Sequence, residues 1–403
     1  MVNYVFLSVY FYSVPNLRFR EFSFPWHQTS IKDLLSFQNG INGAAEQYGK
    51  GIKYISVGDI LNNDYITYDK IIGSIDISQE TLKNYSVTYG DILFQRSSEI
   101  KDDIGRTNVY LDKDNTATFG GFVIRGKKIG DYNPSFFSFL LKSPSSRKSI
   151  VRLGAGAQHY NIGQENIKTL SFYFPNEIEQ VKIANLLSKI DERIQTQSKI
   201  IEEYVILKNS LIHRFFTMDN PKVKLSTILT EINIKNKNKQ IDTVLSVSNK
   251  LGFIKQSEQF EDREVASDDT SNYKIVNKGD YAYNPARINV GSIARLINYD
   301  KGIISPMYSC FKINEKKITY TYFDMFLSSF SFKRQLNKKL EGSVRQCLTF
   351  EGMLSMDIEL PCIETQKSIS NKIDMLNYKI KLESDYREAL IKQKQFLLNN
   401  MFI

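Results

Sequence analysis

Cysteine is scarce in this chain: Cys310, Cys347 and Cys362 are all there is in 403 residues. They share no C-x-x-C spacing, and an odd count argues against a disulfide framework; a reducing cytoplasm fits. Histidine is as sparse. His27, His159 and His213 are scattered, with no spacing that would hold a metal. No G-x-x-x-x-G-K-[ST] stretch exists, so nothing here cradles a nucleotide in that manner. Asn133-Pro134-Ser135-Phe136 is the nearest approach to the N/D-P-P-Y/F loop of an adenine methyltransferase, and it reads more simply as a helix start. Phe119-Gly120-Gly121-Phe122 is no cofactor turn. A metal-dependent nuclease needs clustered carboxylates and a lysine. Asp91 with Glu99-Ile100-Lys101 offers the pieces, but the corresponding second-half stretch keeps Asp280 and has Ile288-Asn289-Val290 where E-x-K would fall. Asp91 is therefore expected to be a turn residue. A run of about 20 apolar residues, enough to cross a bilayer, is missing too. The apolar start MVNYVFLSVYFYSV is stopped by Asn16, Arg18 and Arg20. It has neither a basic leader nor a small-residue cleavage site, and reads as a buried strand or a loose extension.

What is present is ample. The length suits two or three domains. Tyrosine and phenylalanine number 23 and 26 beside one tryptophan, so buried aromatic area is plentiful. The net charge is +9 and is unevenly placed. Residues 174–217 carry six Lys/Arg and six Asp/Glu, and residues 360–403 carry seven and five, which leaves +7 on the rest. A basic excess held by the globular parts points to a polyanionic partner, most often nucleic acid.

The sequence also writes one sentence twice. FPNEIEQVKIANLLSKIDERI at 174–194 and LPCIETQKSISNKIDMLNYKI at 360–380 stand 186 positions apart. Pro175 matches Pro361, Gln180 matches Gln366, Ile183 matches Ile369 and Ile194 matches Ile380. After each proline, apolar residues recur at alternating steps of four and three, the spacing of a heptad seam. The first seam runs Ile183, Leu187, Ile190, Ile194, Gln197, Ile201, Tyr204, Lys208, Leu211, Phe215. The second runs Ile369, Ile373, Leu376, Ile380, Glu383, Arg387, Leu390, Lys394, Leu397, Met401. No glycine or proline breaks either, so each predicts a helix of roughly 55 Å at 1.5 Å per residue. The seams match in register and turn polar at the same places, so the two helices are expected to bury them against each other.

The stretches before the helices echo more faintly. VTYGDILFQRSS (87–98) corresponds to VNKGDYAYNPAR (276–287), IGRTNVYL (104–111) to VGSIARLI (290–297), YISVGDI (54–60) to VLSVSNK (244–250), and LGAGAQHYNI (153–162) to KLEGSVRQCL (339–348). Short β-rich runs punctuated by Gly-Asp turns predict mixed α/β globules. In NPSFFSFLLKS (133–143), Asn133 is the expected cap and Pro134 the first helical residue. The order is globule, helix, globule, helix, with MDNPK (218–222) as a short linker.

These features resemble the DNA specificity subunits of type I restriction–modification systems, across nearly the whole chain. PNLRFREF (15–22) followed by Trp26 looks like that family's lead-in to its first target-recognition domain. GDILFQRSSEIKDDIGR (90–106) is similar to its GDIL-F-S-R…IG-(R/K) stretch, with Gln95 in place of the commoner serine. VLSVSNKLGFIKQSEQF, NYKIVNKGDYAYNPARINVGSIA and GSVRQCLTF match its second domain, and each domain leads into a P-x4-Q helix start. The resemblance implies an α+β fold: two target-recognition domains separated by a pair of long antiparallel coiled-coil helices, related by a pseudo-twofold internal repeat. The implied boundaries are an N-terminal extension (1–25), recognition domain 1 (26–174), spacer helix 1 (175–218), recognition domain 2 (219–360) and spacer helix 2 (361–403). It implies a cytoplasmic, non-catalytic subunit with no membrane contact that reads a bipartite site in double-stranded DNA. Two modification (methyltransferase) subunits would dock on it, and restriction/translocase subunits can join. No cofactor is expected in this chain; S-adenosylmethionine and ATP/Mg belong on the partner subunits.

Base-edge reading needs Arg, Asn, Gln or similar donors on loops whose shape the core fixes. The candidates are Arg96, Arg106, Gln158, His159 and Asn161 in the first half and Asn284, Arg287, Asn289, Arg345 and Gln346 in the second. Gly154, Gly156 and Gly342 would let the backbone turn tightly beside them. Lys127, Lys128, Lys148, Lys333, Lys338 and Lys339 suit phosphate steering. Two rival readings remain: a coiled-coil scaffold that binds no DNA, or the detached recognition module of a fused restriction–methylation enzyme.

Overall fold

The computed structural model describes residues 14–216, 220–259, 269–340 and 346–403. Most of the apolar N-terminal run, part of the 218–222 linker, Gly342 and Arg345 lie outside those residues. Four helices carry the argument: α1 (Pro134–Lys142), α2 (Glu177–Phe215), α3 (Tyr320–Ser328) and α4 (Ile363–Asn400). The chain divides into two units, one of Met1–Lys199 with Ser384–Ile403 and the other of Ile200–Glu383. Each long helix thus contributes to both units.

The first unit is built around an antiparallel sheet in the order Leu35–Asn39, Val123–Lys128, Ile92–Gln95, Thr107–Val109. The central strand Ile92–Gln95 is buried throughout, as its apolar run dictates. A smaller sheet joins Ser74–Ile75, Tyr48–Ile55 and Thr118–Phe119, the last two strands parallel. Against the main sheet lies α1, whose Asn133 side chain accepts from the Phe136 N–H at 2.9 Å and whose Pro134 fills the first helical position. Phe136, Phe137, Leu140 and Leu141 of α1 are buried. The second unit repeats the plan. Its antiparallel sheet runs Leu229–Ile232, Ser309–Ile313, Tyr281–Tyr283, Ile293–Arg295, and Thr319 caps α3 as Asn133 caps α1. Tyr54 pairs with Thr118 where Val244 pairs with Ile303, so the faint echo at 54–60 and 244–250 is a real structural correspondence.

In each unit the globular part begins and ends side by side. His27–Ser30 pairs antiparallel with Ser171–Phe174, and Lys222–Lys224 pairs with Asp357–Glu359. The long helices start immediately after these pairs. In the first unit the segment before His27 is tied to both helices. The Leu17 N–H donates to the Asn400 carbonyl, and Arg18 grips the buried Glu179 carboxylate through two 2.7 Å contacts. Trp26 donates to the same carboxylate at 3.4 Å and packs edge-on against Phe402.

The seam residues lie where the heptad spacing puts them. None of the twenty is exposed. In the first unit Ile183, Leu187 and Ile190 of α2 share a core with Leu397 of α4 and with Met401 just beyond its end. In the second, Ile369 and Ile373 of α4 share a core with Ile212 of α2, with Leu376 packed at its edge. Ile194 and Ile380 are half-buried. The helices run antiparallel: within the second unit Lys208 reaches Asn377 and Lys379 lies over Tyr204, so one helix ascends as the other descends. In the first unit Lys394 pairs with Asp191 at 2.5 Å, and burial raises the Asp191 carboxyl against that pull. Asp191 and Asn377 are repeat equivalents, as are Lys208 and Lys394, each pair 186 positions apart. The seam lysines Lys208 and Lys394 are therefore used as cross-helix partners that fix register.

The repeated Pro-x4-Gln has one purpose in both halves. The buried Gln180 side chain accepts from the Asn133 N–H (2.9 Å) and donates to the Pro175 carbonyl (3.0 Å). The buried Gln366 accepts from the Thr319 N–H (2.9 Å) and donates to the Pro361 carbonyl (2.9 Å) and the Lys317 carbonyl (3.0 Å). One amide thus joins the first turn of each long helix to the capped start of α1 or α3. Gln180→Ala should leave a buried donor and a buried acceptor unpaired, at a cost of about 1–3 kcal/mol. Hydrogen exchange checks this: the Asn133 amide should lose protection in Gln180→Ala, and the Thr319 amide should not.

Candidate nucleic-acid interface

The turn that ends with Asp91 shapes the loops beyond it. The Thr88 N–H donates to Asp91 Oδ2 (3.1 Å), the Lys128 N–H donates to Oδ1 (2.9 Å), and Gly90 takes a φ of +92°. The Asn277 N–H donates to Asp280 Oδ2 (2.7 Å), and Gly279 has a φ of +95°. Both aspartates are buried, and burial pushes both carboxyls above the ordinary range. Their oxygens hold backbone amides, and Glu99 and Lys101 are exposed on a separate loop. Asp91 is the turn residue expected. Among the described residues no group of three or more His, Cys, Asp or Glu could hold a metal ion.

At the far end of the Ile92–Gln95 strand, Arg96 is exposed and stands between two neighbours. Its N–H donates to the Phe122 carbonyl (2.9 Å), its carbonyl accepts from the Ile162 N–H (3.0 Å), and its Nη1 donates to the Gly121 carbonyl (3.3 Å). Ser97 Oγ donates to Asn161 Oδ1, and Asn161 exchanges backbone bonds with Ala155. Gly156, at φ +135°, turns the chain so that Gln158 and His159 are exposed beside them. Arg96, Gln158, His159 and Asn161 therefore belong to one loop cluster. Arg106 is on the adjoining loop, but Asp103 already occupies its guanidinium at 2.6–2.7 Å.

The second unit builds the same frame with other side chains. The Leu348 N–H donates to the Pro285 carbonyl (3.1 Å) as Ile162 does to Arg96, and the Asn284 N–H donates to the Ser292 carbonyl (3.0 Å) as Gln95 does to Arg106 (2.8 Å). Arg287, Asn289 and Gln346 are exposed around that frame. Asn284 is not. Its side chain is buried and accepts from the Ala286 N–H at 3.0 Å, so it shapes the turn. Arg345 lies outside the described residues. Clusters of exposed Arg, Asn and Gln on buttressed turns can offer paired donors and acceptors to base edges.

A family model described as the type I restriction modification DNA specificity domain matches residues 25–203. A putative type I restriction enzyme MjaX specificity subunit from Methanocaldococcus jannaschii is 24% identical over 407 residues, spanning 93% of this chain and 92% of that protein. The crystal structure of a type I restriction–modification S subunit from M. genitalium superposes with a TM-score of 0.57 at 16% identity, covering 97% of this chain and 99% of that one. A chain from a structure of type I complex assembly and conformational transition gives 0.59 at 11% identity, covering 94% and 98%.

Residues 25–203 thus resemble the type I DNA specificity domain.

Three residues support these loops in ways the sequence reading did not assign. Gln95 is buried and donates to the Ser97 carbonyl at 2.9 Å, bracing the turn under Arg96. Arg147 donates to the carbonyls of Gly105 (2.8 Å), Ile104 (2.7 Å) and Asp102 (3.0 Å), and burial pushes its guanidinium down to about 10. It was invisible because an arginine mid-helix reads as solvated. Phe122, whose carbonyl accepts from the Arg96 N–H, was weighed only as part of a possible cofactor turn at 119–122.

Proposed function

We propose that this chain is the non-catalytic recognition subunit of a type I complex. It reads a bipartite target in double-stranded DNA, one recognition domain per half-site. The observation that carries this reading is the shared loop frame: the same backbone hydrogen bonds recur in both units and hold different exposed polar side chains. One frame with two side-chain sets is what two unlike half-sites require. The basic excess outside the helices supports a polyanion at those domains. Exposed apolar residues on the long helices, among them Ile178, Ile206, Met375, Tyr378 and Leu382, suit the docking of two methyltransferase subunits. S-adenosylmethionine and ATP/Mg act on those partners and on any restriction subunit, and the complex works in the cytoplasm. Among the described residues no helix is long and apolar enough to cross a membrane.

The test is a methylome of cells expressing this chain with its methyltransferase subunit. The expected outcome is one two-part motif that disappears when the chain is deleted. A methylation pattern indifferent to the chain would overturn the reading. Binding should also fall steeply with salt. If about six phosphates are neutralised, affinity drops roughly a thousandfold between about 50 and about 200 mM, which a titration measures directly.

A further inference from the structure

Beside the polar loops of each unit stands a large apolar side chain in water. In the first unit it is Phe122, 68% exposed, and in the second Met307, 59% exposed. Strand pairing makes them equivalents. Ile92 faces Gly126 in one sheet and Tyr281 faces Phe311 in the other, and four residues back along each strand lie Phe122 and Met307. The same turn leads in: the Val123 N–H donates to the Gly120 carbonyl (2.8 Å), and the Tyr308 N–H to the Ser305 carbonyl (3.1 Å). The turn sequences differ, Gly120-Gly121 against Ser305-Pro306, yet both carry a bulky apolar tip.

A single exposed apolar residue is ordinary on a protein surface. Two at one structural position in the two units are not explained that way. The Phe122 turn is held firmly. Its carbonyl takes the Arg96 N–H, and a Cβ added to Gly120 would meet the Tyr54 hydroxyl at 2.4 Å. The backbone there is closely packed, and the ring projects from it.

We propose that Phe122 in the first recognition domain, and Met307 in the second, supplies the apolar part of base reading by packing on the 5-methyl group of a thymine in the major groove. This rests on the DNA-reading function above. Hydrogen-bonding side chains distinguish donors from acceptors along base edges, whereas the thymine methyl is read only by apolar contact. Arg96 beside Phe122 places a guanidinium fork and a ring together, suited to neighbouring base pairs. The neighbouring Gln158 and Asn161 are the side-chain types that pair with adenine in that groove.

The experiment uses the full chain with its methyltransferase subunits and duplexes carrying their own target. Each first-half thymine is replaced in turn by deoxyuridine, which lacks only the methyl. The wild type should lose about fourfold in affinity at one position, the worth of one buried methyl. Phe122→Ala should bind the thymine duplex more weakly and be indifferent to that replacement. Met307→Ala should behave likewise for the second half alone. A wild type indifferent to deoxyuridine at every first-half position overturns the proposal, as does a first half-site without thymine on either strand. So does a Phe122→Ala variant that keeps the wild-type loss. Duplex bending that depends on Phe122, without a deoxyuridine effect, would mark a wedge between base steps instead and equally overturn it. If the wild type selects no sequence at all, the functional reading itself fails; if it selects one normally and only these contrasts are missing, this inference alone fails.

Discussion

Exchanging residues 27–174 for the corresponding domain of a type I specificity subunit should change one half of the methylated site and leave the other half untouched. The structure says why the exchange is feasible. His27 pairs with Phe174, so the inserted segment begins and ends on adjacent strands. Trp26 is better kept, because its indole packs on Phe402 and donates to Glu179. Gln180 also stays, ready to accept the amide at the incoming helix start. The sheet core around Phe94, Ile124 and Phe137 travels with the segment. The second unit keeps its own core around Tyr281, Phe311 and Phe323. Each mismatched base pair costs about 1–3 kcal/mol, so a wholly foreign half-site lowers affinity for the old target by at least about a hundredfold. Sequencing of methylated sites reads the result. If both halves of the motif change, the domains do not read independently; if neither does, residues 27–174 do not read DNA.

Much of this was legible in the chain because a repeat is its own control. The Pro-x4-Gln echo marked two equivalent helix starts, and the burial of Gln180 and Gln366 supplies the reason: an amide can accept from one backbone and donate to another at once. The seams were legible because helical periodicity is local. The Asp91 turn was legible because Gly-Asp before a strand has a local hydrogen-bond pattern. The candidate loops were harder. Asn284 was nominated as a reader, yet whether an asparagine faces solvent or its own turn depends on which amide its oxygen meets, and that is set by folding. Arg106 looked free, but Asp103, three residues earlier, takes its guanidinium. The equivalence of Phe122 and Met307 was hidden by drift in the repeat. Ile92 and Tyr281 stand 189 positions apart, but Gly126 and Phe311 stand 185 apart, because the loops between differ in length. Strand register restores the match, and sequence alignment by eye does not.

Ile190→Asp and Ile373→Asp should each loosen the helix pair severely, one in each unit. Ile190 is 6% exposed and Ile373 is 3%. Truncating a buried isoleucine costs about 2–5 kcal/mol, and a carboxyl in its place adds a polar group with no partner. Ile373 is the sharper choice for the second unit, because Leu376, though on the seam, is half-buried at the edge of its cluster. The contrast is with Leu382→Asp and Ile206→Asp, at positions 53% and 58% exposed on the same helices. Those should change stability by no more than about 0.5 kcal/mol. Thermal melting of the chain separates the two sets. Co-purification with the methyltransferase subunit then adds a second axis. The seam variants should lose assembly because the helices no longer pair. The exposed variants should lose it with their melting unchanged, if the exposed face is where the partner docks. Seam variants that melt like the parent would mean that the apolar contacts between α2 and α4 do not hold the pair together, and the polar partners Asp191–Lys394 and Lys208–Asn377 would then have to carry the register alone.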